Sequence, residues 1–247
     1  MKFENTEVWG FEHAIRGMRN PKNSWGKSDS NYEGLFEYLN NAVERGEPLL
    51  PKYLIGKNDL TLMQKLIRAG SEHRKFMRQI FVSVDITAPL FWWKELDTYK
   101  VGTVRNSCST MHRIHVKTFE KDDFTHVGID EVGEITQNTL ENTLKALEFC
   151  RVKFNETKEK RYWRAIIELL PDGYNMKATI TLNYENLFAM CSKGQRRFHK
   201  LNEWSGIDDP CIDNFISWAR TLPYSQELIF IDELEADEKS SLDRTKE

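Results

Sequence analysis

The clearest periodic pattern in the chain lies between residues 79 and 87. β-Branched apolar residues occupy every second position from Ile80 to Ile86, and mostly polar residues lie between them. A period of two predicts a half-buried β-strand. Ala88 and Pro89 end this strand, and the aromatic residues 91–93 begin a helix, because proline is tolerated at helix starts. At least one tryptophan of that aromatic run is expected to pack in the core.

Apolar residues at helical spacing predict six further helices. Asp59 is assigned as the N-cap of the second helix, Pro171 stops the fourth, and Gly194 ends the fifth. Two acids and Pro210 occupy the first turn of the last helix, which carries Phe215 and its apolar neighbours. The six helices lie in residues 32–46, 59–70, 140–154, 161–171, 175–193 and from 208 onward.

The remaining segments lack a period. Residues 19–31 form a polar stretch typical of a loop, and residues 100–128 carry turn residues in no regular order. Many helices around few strands indicate the α+β class. No repeat or linker divides the chain, so we expect one domain over residues 1–231, followed by an acidic, disordered tail over residues 232–247.

Composition narrows the class of protein. The 247 residues are 40% hydrophobic and 12% aromatic, which excludes general disorder. No apolar stretch approaches the roughly 18 residues of a membrane helix, and the N-terminus lacks the apolar core of a signal peptide. We therefore expect a cytoplasmic protein without a membrane partner, which would lie in the host cytoplasm if the gene belongs to a phage.

The charge balance points to small anionic ligands. The net charge is −3, and residues 232–247 alone hold seven acids and three bases, so the rest of the chain is almost neutral. Nucleic-acid binding usually shows as a basic domain, so no nucleic-acid partner is expected. A local basic pocket for a phosphorylated small molecule stays compatible with this balance.

No metal site is expected. His112 and His115 have a spacing that can chelate a metal, but no cysteine or carboxylate pattern completes a tetrahedral ligand set. The cysteines are far apart in sequence, without a C-x-x-C pair, and are interpreted as free thiols. They are Cys108, Cys150, Cys191 and Cys211.

The segment ELDTYKVGTVRNSCSTMH, residues 95–112, is dense in acids, amides, hydroxyls and bases. It follows directly on the predicted strand and helix start. Many donors at the mouth of a sheet are typical of a ligand site, whereas the same composition also suits a solvated loop. Composition alone leaves both interpretations open.

A family resemblance favours the ligand site. The run KLIRAG, the alternating strand and Ala88-Pro89-Leu90-Phe91 resemble the flavin-dependent thymidylate synthases, the ThyX family. The resemblance covers residues 59–223, with the elements in the same order. The chain is similar to a divergent branch of the family that is found in phages and prophages. Further matching elements are Leu169-Leu170-Pro171, Asn183 with Leu187-Phe188, Asn202-Glu203-Trp204 and the closing helix over residues 215–222.

The resemblance implies a ThyX-like fold, with helices around a small, mainly antiparallel sheet, and a homotetramer with shared sites. It also implies the reaction. The family reduces FAD with NADPH, takes a methylene group from methylenetetrahydrofolate and methylates dUMP. Flavin carries the hydride, and arginines polarise the uracil and hold its phosphate, so no protein nucleophile is required.

The resemblance assigns site residues by position, but no catalytic residue. The residues assigned to FAD are His73, Arg78, Tyr99, Asn183 and Asn186. The residues assigned to the nucleotide are Glu95, Lys100, Arg105, Asn106, Ser107, Ser109, Arg196 and Arg197. We expect Lys100, Arg105 and Asn106 to line the same pocket as Ser107 and Ser109. Arg196 and Arg197 have two open roles, a phosphate contact to a neighbouring subunit and stabilisation of a helix C-terminus.

The chain departs from the family signature RHRxxSxNExSxRY. Its Glu and final Arg are missing under either placement on residues 98–112, and the Arg of the family's NxRS element becomes Glu185. Bidentate Arg is poorly replaced by other residues. Three functions stay open: a flavin enzyme acting on dUMP or another pyrimidine nucleotide, a catalytically inactive nucleotide-binding protein, and a structural protein.

Overall fold

A four-stranded antiparallel sheet forms the centre of the computed structural model, which describes residues 1–32, 53–194, 197–209 and 213–234. The sheet order is β1-β4-β6-β5, and β2 and β3 form a separate two-stranded pair. The strands are β1 Lys2–Trp9, β2 Asn31–Tyr32, β3 Tyr53–Leu54, β4 Phe81–Pro89, β5 Val104–Ser107 and β6 Asn175–Asn183.

Helices of the described residues cover one face of this sheet. The helices are α1 Phe11–Arg19, α2 Lys57–Arg68, α3 Leu90–Leu96, α4 Val127–Val132, α5 Glu134–Thr157, α6 Lys160–Leu169, α7 Tyr184–Cys191, α8 Asn202–Ser205, α9 Phe215–Arg220 and α10 Ser225–Leu228. None of the helices described in these four ranges is long and apolar enough to cross a membrane.

The alternation in β4 separates the two faces of the sheet, as predicted. Val82 and Val84 are fully buried and lie opposite Leu182 and Ile180 of β6, on the inner face. Asp85 lies on the outer face, opposite Thr179. The strand therefore has one apolar and one polar face, as its period of two requires.

Large aromatic side chains fill the main core beneath the inner face. Trp92 and Trp93 are both buried, so the expectation that at least one packs in the core is confirmed. Trp204 and Phe215 pack on Trp92, with ring centroids 5.8 and 5.6 Å away. A second apolar cluster lies between α5 and α6, around Leu147 and its neighbours.

Four predicted helices appear close to their predicted positions. Residues 59–70 correspond to α2, residues 91–93 to α3, residues 140–154 to α5 and residues 161–171 to α6. The helix predicted from Tyr32 falls mainly on residues 33–52, which lie outside the described residues. The first thirty residues contain β1 and α1, which were not predicted from the sequence.

The helix predicted over residues 175–193 is wrong in its first half. Residues 175–183 form strand β6, and only α7 is helical. Met176, Ala178 and Ile180 are buried, whereas Lys177 and Thr179 between them are not, so the period of the segment is two. Pairing with β4 along its whole length selects the strand.

Two predicted helix starts are also wrong. Gly56 is the N-cap of α2, while Asp59 lies one turn inside and is fully buried beside Arg19. The last predicted helix begins at Phe215 rather than at Asp208, because the Asn214 side chain accepts a hydrogen bond from the Ser217 amide and caps α9.

Candidate functional site

Strand β5 lies at the edge of the sheet and carries the centre of the predicted nucleotide segment. Arg105 pairs with Ile180 and Asn106 pairs with Thr179 of β6. Because opposite residues in an antiparallel pair share a face, Arg105 lies on the inner face and Asn106 on the outer face. The strand therefore divides these two predicted nucleotide residues between opposite faces of the sheet.

Arg105 already has protein partners. Its Nη1 lies 3.0 Å from Asp97 Oδ1, and its guanidinium carbon lies 5.2 Å from the ring centroid of Trp93. Lys100 is exposed and makes no ion pair within the described residues. Arg105 is thus held against the Trp93 ring by its pair with Asp97, whereas the charge of Lys100, five residues earlier, has no carboxylate partner among the described residues.

The two serines of the segment differ in their surroundings. Ser107 is exposed at the end of β5 and pairs with Ala178, which places it on the same face as Arg105. Ser109 lies past the strand, and its Oγ accepts a hydrogen bond from the His112 amide at 2.8 Å. Ser107 and Arg105 are thus the members of the segment that share one strand face.

Asn183 and Asn186 form a capping box at the start of α7. Each side-chain oxygen accepts from the other residue's backbone amide, at 3.0 and 3.1 Å, and Asn186 Nδ2 donates to the Val101 carbonyl at 2.7 Å. Gly102 has a φ of +78°, and an added Cβ would lie 2.9 Å from Asn183 Nδ2. The asparagine pair therefore holds the loop that leads into β5.

We predict that Asn186→Ala lowers the free energy of unfolding by about 1–3 kcal/mol, because two hydrogen bonds, to Asn183 and to Val101, are lost. Asn186→Asp keeps the acceptor for the Asn183 amide and loses only the donor, so its cost should be smaller. Urea unfolding of both variants tests the ranking. Equal stability of both variants and the natural protein would contradict the bridging role of Asn186.

Tyr99 and His199 pack on Trp204, and Glu95 lies beside His199. The Tyr99 ring centroid is 5.9 Å from that of Trp204, and burial raises the pKa of Tyr99 to about 12, so the phenol stays protonated at neutral pH. Glu95 Oε1 is 3.5 Å from His199 Nε2, and His199 Nδ1 accepts from the Leu201 amide. This arrangement places the ring proton of a neutral His199 on Nε2, facing Glu95. His199 was not among the residues predicted from the sequence.

Arg197 lies in an ion-pair cluster within its own chain. Its Nη1 is 2.7 Å from Glu233 Oε1, and Arg220 Nη2 is at the same distance from that oxygen. The backbone amide of Arg197 donates to the Ser192 carbonyl just past α7. The side-chain charge is therefore directed at Glu233 rather than at the helix carbonyls. Arg196 lies outside the described residues.

Arg74 and Glu185 connect the turn Arg74–Gln79 to α7. Arg74 Nε lies 3.0 Å from both oxygens of Glu185, and its guanidinium carbon is 4.5 Å from the Phe188 ring centroid. The sequence analysis missed Arg74. The replacement of the family's Arg by Glu185 was a usable signal, because a half-buried carboxylate needs a cationic partner.

His73 and Arg78 are exposed at the two ends of this turn, and neither makes an ion pair within the described residues. Because α7 and the turn pack together, the predicted cofactor residues His73, Arg78, Asn183 and Asn186 lie at one end of the sheet. Their surroundings differ, since the asparagine pair is bonded internally while His73 and Arg78 face solvent.

The outer face of the sheet carries a polar cluster that the sequence analysis missed. Asp85 accepts from Thr179 Oγ1 at 2.6 Å and from Asn5 Nδ2 at 3.0 Å, and Lys177 Nζ lies 3.3 Å away. These hydrogen bonds, led by that from Thr179, lower the pKa of Asp85. The residues come from three strands, so their proximity depends on strand pairing.

Comparison with known proteins identifies the fold. No protein-family model matches the chain, and no curated protein matches its sequence. The flavin-dependent thymidylate synthase ThyX from Helicobacter pylori, complexed with FAD and dUMP, matches with a TM-score of 0.59 and 14% identity over 94% of this chain and 99% of that chain. A second structure of ThyX from Helicobacter pylori, with FAD and dUMP, matches with a TM-score of 0.55 and 14% identity over 92% of this chain and 95% of that chain. The expected ThyX-like α+β fold is confirmed.

Proposed function

We propose that this protein is a ThyX-like, flavin-dependent enzyme that methylates dUMP or modifies a related pyrimidine nucleotide. The carrying observation is the fold match to two structures of one thymidylate synthase with FAD and dUMP, which spans nearly all of both chains. The polar segment around Arg105 supports the proposal, because it joins the sheet beside α7 and offers cations and hydroxyls to an anionic ligand. Function does not follow from fold alone, so the site residues carry the test.

The residues assigned to FAD suit the cofactor in part. His73 and Arg78 are exposed at the two ends of the turn Arg74–Gln79, and their donors suit a pyrophosphate. Tyr99 offers a partly buried ring, whereas Asn183 and Asn186 are engaged with each other and Val101. We propose that His73, Arg78 and Tyr99 contact FAD and that the asparagines position the neighbouring loop. Bound FAD would supply the hydride, with NADPH as reductant and methylenetetrahydrofolate as methylene donor.

Lys100 and Arg105 are the proposed phosphate ligands of the nucleotide, with Ser107 and Ser109 as hydroxyl donors. Arg105 is held against Trp93, which limits its rotamer freedom before a ligand arrives. Asn106 faces the opposite side of β5, so we propose that it contacts a different part of the ligand or a neighbouring subunit. At the other end of the segment, Glu95 is proposed to contact the nucleotide, and His199 lies beside its carboxylate.

We also propose a cytoplasmic homotetramer built from one domain over residues 1–231, of the phage type that the sequence resembles. Ile135, Phe149 and Val152 lie exposed on α5, with Ile135 78% accessible. Phe149 and Val152 lie three residues apart and share one side of the helix, so a neighbouring subunit would bury both together. In such an assembly Arg196 and Arg197 would lie near a neighbouring subunit's nucleotide.

The test compares Lys100→Ala/Arg105→Ala with Lys153→Ala/Arg164→Ala, which removes the same charge from exposed ion pairs on α5 and α6. We expect dUMP to raise the melting temperature of the natural protein and of the control, because a ligand stabilises the state it binds. The rise should be lost in the first variant. Its ligand-free stability should change by about 1 kcal/mol or less, since the Arg105–Asp97 pair is partly exposed.

Flavin absorbance separates the two candidate functions. A yellow protein whose melting temperature rises with dUMP supports the enzyme. Colourless protein with the same shift supports the second candidate, a nucleotide-binding protein without flavin chemistry, which the internal bonding of Asn183 and Asn186 favours. A natural protein that responds to neither FAD nor dUMP would overturn both.

A further inference from the structure

A basic cleft lies between residues 57–65 of α2 and residues 22–27, and no residue of β5 lines it. Its volume is about 870 Å³, within the range of small-molecule sites. Four lysines line it, together with the neutral donors of Ser24 and Asn58, and no carboxylate does. The lysines are Lys22, Lys27, Lys57 and Lys65.

A buried ion pair fixes the two walls of this cleft. Arg19 Nε donates to Asp59 Oδ1 of α2 at 2.6 Å, and both side chains are less than 5% exposed. The other guanidinium nitrogens of Arg19 donate to the carbonyls of Ser24 and Lys27, at 3.2 and 3.0 Å. Arg19 therefore connects the segment that carries Lys22 and Lys27 to the helix that carries the opposing lysines.

Asp59 strengthens the same connection. Its Oδ2 accepts from the hydroxyls of Ser28 and Ser30, each at 2.6 Å. The Asp29 carboxylate accepts from the amides of Asn58 and Asp59 at the first turn of α2, at 2.9 and 3.1 Å. These bonds occupy the helix end, so the cleft does not depend on free amides there. The lysine side chains are its binding groups.

The four ammonium groups make no ion pair within the described residues, and all four lysines are exposed. Their mutual repulsion is a cost that a bound anion would relieve. The net charge of the whole chain is −3, so the concentration of lysines does not follow from its composition. Lysine binds phosphate as a strongly hydrated point charge with three donors, which suits a flexible phosphate chain.

We propose that this cleft binds a small molecule that carries two or more phosphate groups, such as a nucleoside triphosphate. The cleft shares no lining residue with the segment of residues 95–109. An adjoining cavity of about 810 Å³ shares Lys22 and Ser24 and reaches His73, which is proposed to contact FAD, whereas the lysine cleft itself does not include His73. The proposal is independent of the dUMP site and stands if that site fails its own test.

The test uses inorganic triphosphate as the probe, at constant ionic strength, with calorimetry and thermal melting. Lys27→Gln/Lys57→Gln removes one lysine from each wall, and Lys145→Gln/Lys193→Gln removes the same charge from exposed positions elsewhere. We expect the natural protein and the control to bind the probe alike. The cleft variant should bind at least about tenfold more weakly, because two charge-assisted contacts are lost. All four lysines are exposed, so folding should be unaffected.

Three results would overturn the proposal. The first is no binding by the natural protein, and the second is equal weakening in the control, which would indicate a general charge effect. The third is tighter binding of a single-stranded oligonucleotide that competes with triphosphate, which would make the cleft a nucleic-acid contact. Triphosphate binding that is unchanged in Lys100→Ala/Arg105→Ala supports a separate site, and its loss there would overturn that separation.

Discussion

Replacing Asp59 with alanine is expected to lower the free energy of unfolding by about 3–5 kcal/mol, because the guanidinium of Arg19 is left buried without its carboxylate. Asp59 is fully buried, and its loss also removes the acceptor for Ser28 and Ser30. Urea unfolding measures the change. Asp172→Ala, which removes an exposed partner of Lys94, is the control and should cost about 1 kcal/mol or less.

The same site gives a pH dependence of known sign. Burial alone would raise the pKa of Asp59, but hydrogen bonds from Ser28, Ser30 and Arg19 outweigh it and hold the pKa below its usual value. The stabilisation is therefore complete above the ordinary pKa of an aspartate and is lost as pH falls through the lowered value. The free energy of unfolding of Asp59→Ala should depend less on pH across this acidic range than that of the natural protein. An equal slope in both proteins would contradict the assignment.

The type of an element could be predicted from the sequence where one of its faces is buried and the other is exposed, because its hydrophobic period is then clear. The period-two segment from Ile80 and the helices around Leu66 and Leu147 satisfy this condition. The segment from Asn175 was misassigned, because its strand period was overlooked and the apolar residues that follow it belong to α7. Its pairing with β4 involves residues about ninety positions away. The period of two was therefore the only local signal of the strand, because the distant partner cannot be recognised from the local sequence.

The site was predicted as a segment rather than as a set of contacts. The resemblance directed attention to residues 95–109, which include the edge strand β5, but strand alternation separates Arg105 from Asn106. The partners of the basic residues come from distant positions: Arg74 is bonded to Glu185, and Arg197 to Glu233. Hydrophobic periodicity does not predict such ion pairs, because each of these charged residues, taken alone, has the pattern of a solvent-exposed position.

These ion pairs affect the proposed nucleotide site directly. A phosphate that binds Arg105 has to compete with Asp97, and one that binds Arg197 has to compete with Glu233. Lys100 has no such competitor within the described residues. The net gain from each paired arginine is reduced by the interaction it gives up. Lys100 should therefore contribute more to affinity per charge than Arg105 does.

Trp204→Ala is expected to destabilise the protein by about 3–5 kcal/mol, because it removes a fully buried ring at the junction of core and site. The ring centroid lies 5.1 Å from that of Phe215 on the core side and 5.1 Å from that of His199 on the site side. Tyr99 packs on the same ring. A cavity there removes the packing that orders both Tyr99 and the Glu95–His199 pair.

Two control variants separate the effects of Trp204. Trp204→Phe keeps an aromatic ring and loses the hydrogen bond to the Met190 carbonyl, so its cost should be much smaller. Trp25→Ala removes a tryptophan that is 50% exposed and should change stability by about 1 kcal/mol or less. Chemical denaturation ranks the three variants. A loss in Trp204→Ala no larger than that in Trp25→Ala would show that the ring does not support the site.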